Sequence, residues 1–167
     1  MMICQIYYLM RYFLCLGSNL GDKRRNLERA AELLTEAGIC ILSASSVYET
    51  EPVGIVTESW FYNQSLEVET DCIPQELILR IKRIEKEMGR VHTTNPHPRS
   101  IDIDILLADD QIVDTNNLQI PHPQLDKRNF VLIPLAEIAP EIKHPLLKEK
   151  ITKLLEKSED RSRVKKL

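Results

Sequence analysis

The stretch RSIDIDILL (residues 99–107) constrains the fold of this chain most. Its isoleucines and leucines call for a strand against a core, yet Asp102 and Asp104 interrupt them at alternate positions. Successive strand side chains point to opposite faces and each residue rises ~3.3 Å, so the two carboxylates share one face roughly 6 to 7 Å apart. Ile101, Ile103 and Ile105 then share the other. One face of this strand is therefore buried, and the other either meets water or holds something that offsets two like charges.

The segments before it set the topology. RYFLCLG (11–17) is β-rich and stops at Gly17, and SNLGD (18–22) has turn chemistry that opens a helix. Leu27, Ala30, Ala31 and Leu34 recur at helical spacing over 22–37, and Gly38 closes that helix. Residues 39–50 read as a strand, 51–59 as a loop, and 61–70 as a second, alternating strand. Pro74 suits the first turn of a helix whose apolar stripe is Leu77, Ile81, Ile84 and Met88, ended by Gly89. Residues 90–100 form a polar loop with two prolines, long enough to act as a lid. The order β-α-β-β-α-β predicts an α+β, ferredoxin-like arrangement: an antiparallel sheet with helices on one face, followed by additional C-terminal strands and helices. Short strands are expected near 111–113 and 118–120, and a polar helix near 147–157.

The whole chain, 1–167, reads as a single domain. Residues 1–9 form an extension before Met10, interrupted by Gln5 and unlike a signal peptide or membrane span, and 158–167 a frayed tail. A net charge of −3 argues against a broad nucleic-acid footprint. Cys4, Cys15, Cys40 and Cys72 form no Cys-x-x-Cys pair and fit reduced thiols in the cytoplasm.

Hard divalent ions such as Mg²⁺ take one or two carboxylates completed by water and substrate phosphates, which makes Asp102 and Asp104 a candidate metal pair. Cations flank them in sequence: Arg90, His92, His97 and Arg99 before, His122, Lys127 and Arg128 after. Guanidinium groups match phosphate oxygens, so the combination points to a polyphosphate substrate. The histidine spacing fits no common zinc site, and no P-loop is present. Two other readings stay open at this level: a glycosyltransferase that uses Asp-x-Asp for a nucleotide sugar, and a non-enzymatic ferredoxin-like binding module.

Six segments in register carry a resemblance: LGSNLGD, SSVYETEPVG, FYNQSLEVET, RIEKEMGR, PRSIDIDILL and IPHPQLDKRNFVLIPLAEIAPE. Over about 12–145 the chain resembles the 6-hydroxymethyl-7,8-dihydropterin pyrophosphokinases of folate biosynthesis. The resemblance implies transfer of the β,γ-pyrophosphate of ATP to the pterin hydroxymethyl group, with release of AMP. It implies two Mg²⁺ ions on Asp102 and Asp104, with Arg90, Arg99, Asp102 and Asp104 as the catalytic set. Nucleotide contacts fall to Glu85, His92, Arg99, Ile105, His122 and Arg128. Pterin contacts fall to Thr50, Val53, Phe61, Asn63, Asp102 and Phe130. The implied enzyme is a cytoplasmic monomer with no membrane or nucleic-acid partner, and association with neighbouring folate enzymes is left open. Many members have Trp-Gly-Pro-Arg where this chain has PHPR, so Pro96 and His97 replace a lid aromatic and a glycine. His92 stands at a frequent arginine, Lys82 at a glutamine of some members, and Glu51 at a common proline.

Overall fold

A near-continuous apolar run makes strand β1 (Met10–Ser18) the centre of the sheet, buried on both faces. In the computed structural model, which describes residues 8–53, 59–90 and 97–167, β1 pairs antiparallel with β4 (Phe61–Thr70) on one side and β5 (Asp102–Ala108) on the other. Helix α1 (Lys23–Glu36) starts where the Asp22 carboxylate accepts the Arg25 N–H at 3.0 Å. It buries Leu27, Ala30, Leu33 and Leu34, with Leu33 in place of the expected Ala31. Helix α2 (Pro74–Glu87) has Pro74 in its first turn and buries Leu77, Ile81 and Ile84. Both helices cover the face that carries Tyr12, Leu14, Leu16, Ile103 and Ile105.

The strand expected over 39–50 divides into β2 (Cys40–Ala44) and β3 (Tyr48–Thr50), which pair with different halves of β4. The break falls at serines whose hydroxyls compete for backbone partners: the Ser45 Oγ accepts the Ser65 N–H at 2.9 Å, and Ser46 turns to Glu137. The sheet order is β5-β1-β4-β3-β8, where β8 is Val164–Lys166, with β2 also on β4 and every pairing antiparallel. This is the ferredoxin-like order. Strands β6 (Val113–Asp114) and β7 (Gln119–Ile120) make a separate hairpin.

The C-terminal elements cover the second face. Helix α3 (Asn129–Ile138) follows a 3-10 turn at Leu125–Lys127, and α4 (Ile151–Lys157) packs on it. Together they bury Phe13, Cys15, Leu106 and Leu107. Strict alternation along β5 would put Leu107 beside Ile105. A register shift opposite Phe13/Leu14 instead turns Leu106 and Leu107 to the same side. The β5 strand thus ends in two leucines under α3 and begins with two aspartates on that same face.

The tail expected to fray over 158–167 is ordered. Residues Val164–Lys166 form β8, antiparallel to β3. Leu167 donates its N–H to Val47 O at 3.0 Å, and Lys166 Nζ reaches Glu137 at 3.1 Å. Lysines on the solvent side gave the segment its polar look, whereas its backbone satisfies the open edge of β3. No helix among the described residues is long and apolar enough to cross a membrane.

Glu137 joins α3 to this edge. Burial alone would raise its pKa, but bonds from the Tyr48 hydroxyl (2.7 Å), the Ser46 hydroxyl and amide, and Lys166 hold it down to about 2. A carboxylate depressed in the fold stabilises it fully above its unfolded pKa, and that contribution fades as pH falls toward the folded value. Glu137→Gln is therefore expected to lose about 1 to 2 kcal/mol near neutral pH. In urea titrations the difference from wild type should shrink between about pH 4.5 and pH 2.

Candidate active site

Strand alternation carries Asp102 and Asp104 to the face opposite Ile103 and Ile105, at the end of β5 that α3 and α4 leave open. Their register partners on β1 are Gly17 and Cys15, both small, so space opens beside the carboxylates. Across β1, Gly17 faces Asn63. A Cβ on Gly17 would come within 2.8 Å of Asn63 Oδ1, so only glycine lets the Asn63 amide lie there. The Asn63 Nδ2 donates to Thr50 Oγ1 at 2.5 Å, and both side chains are buried.

Cations hold the carboxylates from one side. Asp102 forms ion pairs with Arg90 and with Arg99, the latter at 2.9 Å. Beneath them lies Glu85, which is fully buried and paired with Arg90, with Lys82 at 3.1 Å and with the Ile103 N–H at 2.9 Å. Glu85 thus ties α2 to the middle of β5 and sets the base of Arg90. Arg99 is positioned by Asn19 of the GSNLG turn, which accepts its N–H at 2.8 Å and donates back to its carbonyl at 3.1 Å. The Arg99 guanidinium lies 5.7 Å from the Phe61 ring centroid.

Asp104 bears the cost of this crowding. Burial first, then the charges of Asp102 and Glu85, push its pKa up to about 7, against the opposing pull of Arg90 and Lys82. Burial, with the same two aspartates, also pushes the Cys15 thiol well up. His122 is lowered by burial, although Asp102 pulls the other way. Its Nδ1 accepts the Gln124 N–H at 3.1 Å, which leaves the neutral ring's proton on Nε2.

Two concavities meet at Asp104. A pocket of about 480 Å³ is lined by Thr50, Val53, Phe61, Asn63, Phe130, Arg99 and the two aspartates. A more open, polar cleft of about 1200 Å³ runs past Lys82, Ile105, His122 and residues 114–119. The predicted pterin set therefore lies together, and Ile105 and His122 share the cleft. Glu85 sits beneath the surface, and Arg128 lines neither space but stands at the start of α3 near Asp160. His92, Pro96 and most of the expected 90–100 lid lie outside the described residues. Cys15, Gly17 and Asn19 were not predicted as site residues. For Cys15 and Gly17 the signal lies in β1 pairing and for Asn19 in its bonds to Arg99, and the LGSNLGD segment that holds the last two does not show what they touch.

An antiparallel ferredoxin-like sheet with two carboxylates between an apolar pocket and a polar cleft defines a small-molecule enzyme domain. Residues 13–140 match the family described as 7,8-dihydro-6-hydroxymethylpterin-pyrophosphokinase, and the chain belongs to that family. It is 43% identical over 137 residues to the 2-amino-4-hydroxy-6-hydroxymethyldihydropteridine pyrophosphokinase of Aquifex aeolicus, covering 82% of this chain and 85% of the relative. The Bacillus subtilis protein of the same name is 40% identical over 131 residues, 78% of each chain. Among solved structures, wild-type Plasmodium falciparum HPPK-DHPS with pteroate superposes with a TM-score of 0.73 at 21% identity, over 90% of this chain and 42% of that one. At that identity the likeness is one of fold, and this chain spans under half of the fused protein. Family membership removes the glycosyltransferase and binding-module readings.

Gly17→Ala should force the Asn63 amide off Thr50. The expected result is a loss of about 1 to 3 kcal/mol in thermal unfolding, beyond the backbone cost of about 1 kcal/mol expected for Gly21→Ala, which meets no neighbouring atom but lies at φ +66°.

Proposed function

We propose that the protein transfers the β,γ-pyrophosphate of ATP to the hydroxymethyl group of 6-hydroxymethyl-7,8-dihydropterin. The observation that carries this reading is the meeting, at Asp104, of an aromatic-walled pocket with a larger polar cleft. A flat heterocycle suits the first: Phe61 and Phe130 offer apolar faces, Val53 a wall, and Thr50 and Asn63 the polar edge. A nucleotide suits the second, with Ile105 against the base, and His122 and Lys82 as polar contacts. Arg128 and His92 complete the nucleotide set in this reading, while Glu85 acts by holding Arg90.

The donor set fits Mg²⁺. Asp102 and Asp104 are hard oxygen ligands that repel one another. Among the described residues no cluster of three or more His, Cys, Asp or Glu side chains could hold an ion. With two carboxylates from the chain, water and phosphate oxygens would complete the shell, as Mg²⁺ prefers. Bound there with the triphosphate, Mg²⁺ would neutralise phosphoryl charge and favour ionisation of the attacking hydroxyl.

The chain's own residues do the rest. Arg90 and Arg99 lie on Asp102 and are within reach of the space where phosphates enter, so they can exchange a carboxylate for phosphoryl oxygens and follow the developing charge. The pocket walls hold the hydroxymethyl oxygen in line with the β-phosphorus and keep water from competing. A new bond forms between that oxygen and the β-phosphorus, the bond from the β-phosphorus to the α-phosphate oxygen breaks, AMP departs, and the hydroxyl proton passes to solvent.

Mixing protein, Mg²⁺, ATP and the hydroxymethyl-dihydropterin should yield AMP in step with pterin consumption; ADP as the nucleotide product would refute the reading. Asp102→Ala and Asp104→Ala are each expected to lower turnover by at least about 100-fold. The melting temperature of Asp104→Ala should hold or rise, because a repelled buried charge has gone.

A further inference from the structure

We infer that the C-terminal segment 160–166 is a positioning element for the pterin pocket, gripping two of its walls at once. This rests on reading the 480 Å³ pocket as the pterin site. The matched family region ends at residue 140, well before this segment.

One grip is on the β3–β4 wall. Thr50 and Phe61 line the pocket and are register partners. Thr50 closes a strand of three residues, whose outer edge would be unpaired without β8. Val164 pairs with Thr50, and just outside that pair Arg163 engages both neighbours of the wall. Glu51 donates its N–H to Arg163 O at 2.9 Å, and the Arg163 N–H returns to Glu51 Oε2 at 3.1 Å. The Arg163 guanidinium reaches Glu51 Oε1 at 3.5 Å and lies 4.6 Å from the Trp60 ring centroid. Glu51 itself lines the pocket, as does Val53 two residues on, and Trp60 precedes Phe61.

The second grip is on α3. The Asp160 carboxylate accepts the Asn129 N–H at 2.8 Å, and Asn129 Nδ2 donates to Asp160 O at 2.8 Å. Asn129 is the first residue of α3, where an anion meets unpaired helix N–H groups, and Phe130 of the pocket follows it. A span of five residues, Asp160 to Val164, therefore fixes the distance between the Phe130 wall and the Thr50/Phe61 wall. The nucleotide cleft has no residue of this segment in its lining. Disturbing the brace should weaken pterin binding and spare nucleotide binding.

The test compares wild type with Arg163→Ala, Arg163→Lys and Lys165→Pro, which puts a residue without an N–H in mid-β8. Nucleotide affinity is measured with a non-hydrolysable ATP analogue and Mg²⁺, and pterin affinity in the presence of both. Expected are losses of pterin affinity of about threefold for Arg163→Ala and about tenfold for Lys165→Pro, with nucleotide affinity within about twofold throughout. Arg163→Lys should recover part of the loss, since it restores charge toward Glu51 but not the planar stack on Trp60. Unchanged pterin affinity in Lys165→Pro, or parallel loss of both ligands, would overturn the brace. Wild type that binds the nucleotide but no pterin would instead overturn the pocket assignment on which the brace rests.

Discussion

Everything at the site follows from placing three carboxylates where water is scarce. Asp102, Asp104 and Glu85 lie on or against one end of β5, and three cations, Lys82, Arg90 and Arg99, are set among them. The cluster is thus balanced in formal charge, three against three, yet not in space. Asp102 and Glu85 take the ion pairs, and Asp104 is left with burial and its neighbours' repulsion, which push its pKa up to about 7. In the reading proposed above, a ligand that brings divalent cations and phosphates together would supply both what Asp104 lacks and what the arginines can accept. The imbalance that costs stability within the fold would favour binding of such a ligand.

The scaffold makes that imbalance possible. Ile103 and Ile105 bury deeply under α1 and α2, and the shift in register beside Phe13 turns Leu106 and Leu107 under α3. With β5 anchored on both faces at one end, its other end can present charges that no isolated strand would hold. Glu85 extends the anchor by accepting the Ile103 N–H between the two aspartates. The carboxylate that shapes the site is therefore also a backbone partner of the strand that bears it.

Local periodicity made β1, α1, β4, α2 and β5 readable, because each has one face that must be apolar and a turn residue at its end. The parts that were misread depend on distant partners. Ser45 looks like any strand residue until Ser65 is opposite it, and β8 looks like a solvated tail until the edge of β3 is known to be open. Helix α3 is buried along most of its length and contains Pro134, so it shows neither a helical period nor a helix-forming composition. In the same way Asp102, Asp104 and their arginines were visible as a local charge pattern. Gly17 and Asn19 matter through β1 pairing and a long-range hydrogen bond, and the LGSNLGD segment that holds both does not reveal those distant partners.

Glu85 shows how register decides between two roles for one side chain. A glutamate on a helix near a polar cleft reads as a ligand contact. Its position one residue beyond Ile84 on α2, a helix that packs against β5, turns it inward instead, where a lone carboxylate would be costly to bury. Lys82 three residues earlier, Arg90 just past the helix end and the Ile103 amide all meet it there, so the burial becomes tolerable only as a set. Loss of any one member leaves the others uncompensated. Arg90 is thereby held in place from below, and its placement on Asp102 is built into the fold itself.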